Sequence, residues 1–187
     1  MRLTFDDFIL ITQKYLLKYL QFADPIHIII AFLITFVFLR FRILGRQQKT
    51  AFLRSFIYSI YFTLVITITL LGREIHGVSN SIYTLLSTYN ALLCEKKYWV
   101  VFEIIYNVAL FVPLGCIIHY HFKKVVFIYI AVVVSFAIEI IQLLLGIGLL
   151  EISDLINNTL GAILGYALVY LHKTISHNRS LANIFVD

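Results

Sequence analysis

The sequence predicts an all-α integral membrane protein. It is expected to have five transmembrane helices plus an N-terminal amphipathic interfacial helix, in one domain over residues 1–187. Three observations carry this. Of 187 residues 61% are hydrophobic and 13% charged, with mean hydropathy +0.92, and no soluble domain of this size hides so much apolar side chain. Apolar runs of crossing length recur along the chain. The cations that give the net charge of +5 sit in short segments between those runs. Membrane topology places cations there, so the charge does not imply a nucleic-acid partner.

Residues 1–24 differ from the rest of the chain. Thr4-Phe5-Asp6-Asp7 resembles a capping box. Asp7, Lys14, Lys18 and Gln21 share one helical face, with Phe5, Phe8, Ile9, Leu16 and Tyr19 largely opposite. A crossing would cost about 2.5–3.5 kcal/mol for each charge near the bilayer centre. The pattern therefore predicts a helix lying on the membrane. No small-residue cleavage pattern follows a basic start, so a signal peptide is not expected.

The crossings are expected at Pro25–Leu39, Ser55–Leu71, Trp99–Ile118, Val125–Ile147 and Leu155–Leu171. The first two are short, and flanking Arg40 and Arg54 would snorkel to the interface. All are helices, because an unpaired backbone is excluded from lipid. Arg40, Arg42, Arg46, Lys49 and Arg54 crowd the first connection. Lys123 and Lys124 lie in the third, and Lys173 and Arg179 in the tail. These predict cytoplasmic segments, an N-terminus outside and a C-terminus inside a bacterial plasma membrane. Cys94 and Cys116 then fall on opposite sides, where they form neither a disulfide nor a metal site. Tyr83, Tyr89, Tyr98 and Trp99 are read as an interfacial aromatic belt.

Three spans carry polar groups in their outer halves. Ser135, Glu139, Gln142 and Gly146 are spaced i, i+4, i+7, i+11 and form one stripe. Asp154, Asn158, Gly161 and Gly165 repeat it on the next span. At about 1.5 Å per residue, Glu139 and Gly161 come to one depth, and Gln142 and Asn158 to another. Glu103 and Asn107 enter from outside on the third span, with Asn107 at the level of Glu139. Below them Pro113 is expected to bend the helix. Gly115 is read with Pro113 as a packing element, and Gly161 and Gly165 as a small-xxx-small packing pair. Arg73 ends the second span on the outer side, within reach either inward or up to lipid phosphate. An ionisable group at such depth is a functional candidate by default.

The patterns Asn107-x-x-x-Phe111-x-Pro113-x-Gly115, Ser135-x-x-Ile138-Glu139-x-x-Gln142 and Asp154-x-x-x-Asn158-Thr159-x-Gly161-x-x-x-Gly165 occur in this order. In that order and spacing they resemble the VanZ-like family, over roughly the third to fifth spans. That family is bacterial, polytopic and named for a member linked to teicoplanin resistance. Two departures stand out. Gly148 holds a place where relatives usually have Arg, and Asn90-Ala91-Leu92-Leu93-Cys94 lacks a proline common in relatives.

The resemblance implies a role in glycopeptide resistance. The first expectation is a binding protein with an outward-facing polar cleft for a membrane lipid, a lipid-linked wall precursor or a partner helix. Arg73 would hold a phosphate. Glu103, Asn107, Glu139, Gln142, Asp154 and Asn158 would line the cleft. An alternative is an enzyme on a lipid-linked substrate with Glu139 and Asp154 as acid and base. A third reading is a small-solute or proton transporter through Glu139, against which stands the scarcity of polar groups below Ser135. No residue pattern calls for a cofactor or a metal. His76 lies alone in the outer connection, and His119 and His121 are read as interfacial.

Overall fold

A computed structural model describes residues 23–43, 49–73, 87–94, 97, 100–121, 126–148 and 151–184, with positions 9, 10, 13 and 17. The expected interfacial helix of residues 1–24 thus lies almost wholly outside the described residues. So do His76, Tyr83, Tyr98, Trp99, Lys123 and Lys124.

Among the described residues the chain forms helices and no strand. Helix α1 covers Pro25–Phe38 and runs into a π-helical turn, Leu39–Ile43. Its start is set by Asp24-Pro25. Proline at the first position lacks the N–H that a helix start leaves unpaired, and the Asp24 carboxylate accepts from the Ile26 amide at 2.8 Å. Helix α2, Lys49–Ile66, continues as a π-helical turn over Thr67–Leu71. A short helix α3, Ser87–Leu93, precedes α4, Val100–His121. Helices α5, Phe127–Leu145, and α6, Ile152–Ile184, complete the chain.

Among the described residues four stretches are long and apolar enough to cross a membrane: Ala51–Leu71, Val100–His121, Ile128–Leu145 and Ile152–Ser176. The fifth apolar helix, Pro25–Phe41, is shorter. Helices α2 and α6 overrun the expected spans for a physical reason, whereas α5 falls inside Val125–Ile147. Apolarity marks only the part of a helix that suits oil. Lysine and arginine are good helix formers, so α2 begins at Lys49 instead of Ser55, and α6 runs past Leu171 to Ile184. Helix α3 is an addition to the expected elements. Pro113 lies inside one uninterrupted helix on its exposed side.

The chain divides into two compact units, Met1–Val78 with Ile141–Gly148, and Ser79–Ile140 with Leu149–Asp187. In the first, α1 and α2 pack as an antiparallel pair. Phe36 meets Phe52 edge-on at 5.6 Å and Phe32 meets Phe56 at 5.7 Å. Three hydroxyls in this apolar pair bond along their own helix: Ser55 donates to the Ala51 carbonyl, Ser59 to the Ser55 carbonyl and Thr69 to the Val65 carbonyl.

In the second unit α4 and α6 run parallel and touch backbone to backbone. A β-carbon at Gly161 would overlap the Val108 carbonyl, one at Gly165 the Val112 carbonyl, and one at Gly115 the Ala162 carbonyl. Such approach needs glycine on both helices and maximises dispersion contact where no hydrophobic drive exists between helices. The Cys116 thiol donates to the Gly165 carbonyl at 3.4 Å. Farther along, the His119 ring stacks edge-on against Tyr166 at 4.7 Å and Lys173 sits over Tyr120 at 4.4 Å.

Helix α5 ends in a Schellman motif. Gly146 adopts φ 65°, the Ile147 amide donates to the Gln142 carbonyl at 3.0 Å, and the Gly146 amide donates to Leu143 at 3.2 Å. Gly146 therefore serves the turn, and the conformation explains the residue without a polar stripe.

Candidate functional site

The second unit gathers polar groups around the start of α6. The Glu151 carbonyl accepts the amides of Asp154 and Leu155, each at 3.2 Å, which makes Glu151 the residue that opens the helix. Its own amide would be left unpaired there. Glu139 takes it: the carboxylate Oε2 accepts the Glu151 N–H at 3.0 Å, and Glu139 is only 2% exposed. The Glu151 carboxylate accepts hydroxyl donors from Ser153 and Thr88, both at 3.2 Å.

One turn on, Asn107 Nδ2 donates to Asp154 Oδ1 at 2.7 Å, tying α4 to α6. The Tyr89 hydroxyl donates to Asn157 Oδ1 at 2.6 Å, so α3 is fastened to α6 by two side chains in sequence, Thr88 and Tyr89. Burial, and then the nearby Asp154 carboxylate, push the Tyr89 phenol above its ordinary value of 10.0. It therefore stays a donor. Deeper in the unit, Asn158 Nδ2 donates to Ser135 Oγ at 3.0 Å, with both residues buried.

The first unit holds a separate polar group. Helix ends leave carbonyls without intrahelical donors, and at the end of α2 Gln142 Nε2 donates to the Thr69 carbonyl at 2.9 Å. Gly148 faces the same place. A β-carbon there would lie 3.2 Å from Arg73 Nη1 and 3.3 Å from Gln142 Oε1.

Of the residues singled out in the sequence, Glu103, Asn107, Glu139, Asp154 and Asn158 fall in the second unit, and Arg73 and Gln142 in the first. Glu103 is half-buried in the first turn of α4, where a carboxylate suits the helix dipole. The expected register needs correction. A depth count puts Glu139 level with Gly161 and Asn107 level with Glu139. Instead Glu139 reaches Glu151, Asn107 reaches Asp154, and Gly161 lies against Val108 and Phe111 of α4. The count fails because α6 begins at Ile152, three residues before the expected Leu155, and because Gly161 serves α4 instead of α5.

Sequence reasoning also passes over Thr88, Glu151, Ser153 and Asn157, and reads Tyr89 as an interfacial anchor. Asn157 was detectable, since two adjacent asparagines in an apolar helix cannot both face lipid at low cost. The Thr88 and Tyr89 contacts span sixty or more positions and leave no local signal.

Residues 26–173 match the family described as VanZ/LLP1. Protein VanZ of Enterococcus faecium is similar at 33% identity over 87 residues, which cover 45% of this chain and 54% of that protein. The match thus spans about half the length of this curated relative. No solved structure matches the chain. With its helices of crossing length and a family match over most of its length, the chain is a membrane protein and belongs to the VanZ/LLP1 family.

Proposed function

We propose that this protein acts in the bacterial envelope in resistance to teicoplanin-type glycopeptides, by binding an envelope lipid or lipid-linked wall precursor. The observation that carries this reading is the group of three carboxyls, Glu139, Glu151 and Asp154, held by hydroxyl, amide and backbone donors where α5 gives way to α6. Lipid tails offer such groups nothing. Sugar hydroxyls and peptide amides of a precursor offer donors to carboxylates and acceptors to amides. Asn157 supports the same reading: it is 1% exposed and, among the described residues, its Nδ2 has no acceptor.

In this reading Pro25–Phe38 with the π-helical turn Leu39–Ile43 makes a fifth crossing. At about 1.5 Å per residue the two together reach about 28 Å, close to the thickness of a bilayer core. The N-terminus lies outside, the C-terminus in the cytoplasm, and the polar group beneath the outer leaflet, where glycopeptides meet their targets.

The test is teicoplanin susceptibility of a bacterium expressing wild type, Glu139→Gln or no protein. Wild type is expected to reduce susceptibility, and Glu139→Gln to keep much of the effect, because a hydrogen-bond acceptor survives. Abolition by Glu139→Gln at unchanged protein level would favour acid–base catalysis instead. Equal susceptibility of wild-type and empty cells would remove the resistance role.

A further inference from the structure

The end of α2 holds two polar atoms whose hydrogen-bonding capacity is unused. Gln142 is 1% exposed. Its Nε2 is committed to the Thr69 carbonyl at 2.9 Å, which fixes the orientation of the amide, since the reverse would set two carbonyl oxygens together. Its Oε1 is buried and has no donor among the described residues. Arg73 Nε is likewise buried without an acceptor among the described residues. An orphaned buried polar atom costs about 1–3 kcal/mol, so each calls for a partner.

Both groups border one small space. Glycine at position 148 keeps that place free of a side chain: a β-carbon there would crowd Arg73 Nη1 at 3.2 Å and Gln142 Oε1 at 3.3 Å. Gly148 and Arg73 are both half-buried. The adjoining π-helical turn, Thr67–Leu71, widens the helix just where Thr69 turns its carbonyl to Gln142. Turns of that kind recur at functional sites.

The geometry points to a phosphoryl-binding recess formed by Arg73, Gln142 and Gly148, specific for a phosphate that carries a hydrogen-bond donor close by. A guanidinium takes phosphate oxygens. A bare amide oxygen beside it rejects a second anion oxygen and takes an O–H or N–H. The headgroups of phosphatidylglycerol and phosphatidylethanolamine have both features, and that of phosphatidylcholine lacks the donor. A free phosphomonoester shares the chemistry. This assignment rests on the reading of the chain as a binder of envelope lipid, and names the headgroup class it selects.

The experiment uses the full chain in detergent micelles, titrated with dihexanoyl phosphatidylglycerol, phosphatidylethanolamine and phosphatidylcholine, with glycerol 3-phosphate as the soluble probe. Phosphatidylglycerol and phosphatidylethanolamine are expected to bind about tenfold more tightly than phosphatidylcholine, the equivalent of one added hydrogen bond. Arg73→Gln should weaken all three. Gly148→Val should abolish the preference while leaving Arg73 and Gln142 in the chain, which guards against misreading a Gln142 variant that fails to fold. Glycerol 3-phosphate competing at equal concentration would assign the recess to a soluble phosphomonoester, and failure to compete would assign it to the lipid. Equal binding of the three lipids, or unchanged binding by Arg73→Gln, overturns the assignment. Loss of the susceptibility effect with the headgroup preference intact would sink the resistance role alone.

Discussion

Glu139 shows what a single side chain settles here. Its carboxylate is buried and accepts the backbone N–H of Glu151, where α6 starts. Glu139→Leu strands that donor and should destabilise by about 1–3 kcal/mol, whereas Glu139→Gln keeps an acceptor and should unfold near wild type. Thermal unfolding in detergent separates the two. The Asn158–Ser135 bond is a cleaner pair, since each side chain is buried and faces the other. Asn158→Leu and Ser135→Ala should each cost about 0.6–2 kcal/mol. The double variant should cost less than their sum, because the second change has no bond left to remove.

Between elements, two kinds of fastening hold the second unit. One is steric. Gly161 and Gly165 on α6, and Gly115 on α4, let carbonyls of the facing helix come where a β-carbon would stand. Gly165→Leu should therefore force α4 and α6 apart, at a cost of about 1–3 kcal/mol or more, read as a lowered unfolding midpoint and reduced accumulation. The partner atoms are backbone, so even Gly165→Ala should be felt. The other fastening is polar and joins α3 to α6 through Thr88 and Tyr89. The Tyr89 phenol is held above 10.0 in the fold, so the folded state keeps its proton longer than the unfolded chain. Its stabilising effect is therefore complete below pH 10 and is lost as pH rises above that toward the folded value. Tyr89→Phe should flatten that alkaline limb of an unfolding-versus-pH curve.

For the whole molecule, the direction in which the helices thread the bilayer decides which leaflet holds the polar group. Cys94 is exposed and Cys116 half-buried. With the N-terminus outside, an impermeant thiol reagent on intact cells should modify Cys94 and spare Cys116. The reverse pattern would invert the topology and put the carboxyl group of α6 at the inner leaflet, away from any glycopeptide.

Composition alone determined that this is a helical membrane chain, because apolar surface in excess of any core leaves lipid as the solvent. The i, i+4, i+7 spacing also brought out Asn107, Glu139, Asp154 and Asn158, since polar side chains in an apolar helix are legible one by one. Their partners were not legible. Which donor meets which acceptor depends on the register between helices, and register was decided by glycine contacts of α4 with α6 and by the start of α6 at Ile152. Only the tertiary structure could give Glu139 to Glu151, Asp154 to Asn107 and Gln142 to Thr69. Hydrogen bonds reach about 3 Å, while a depth counted along two helices is good only to a turn or more.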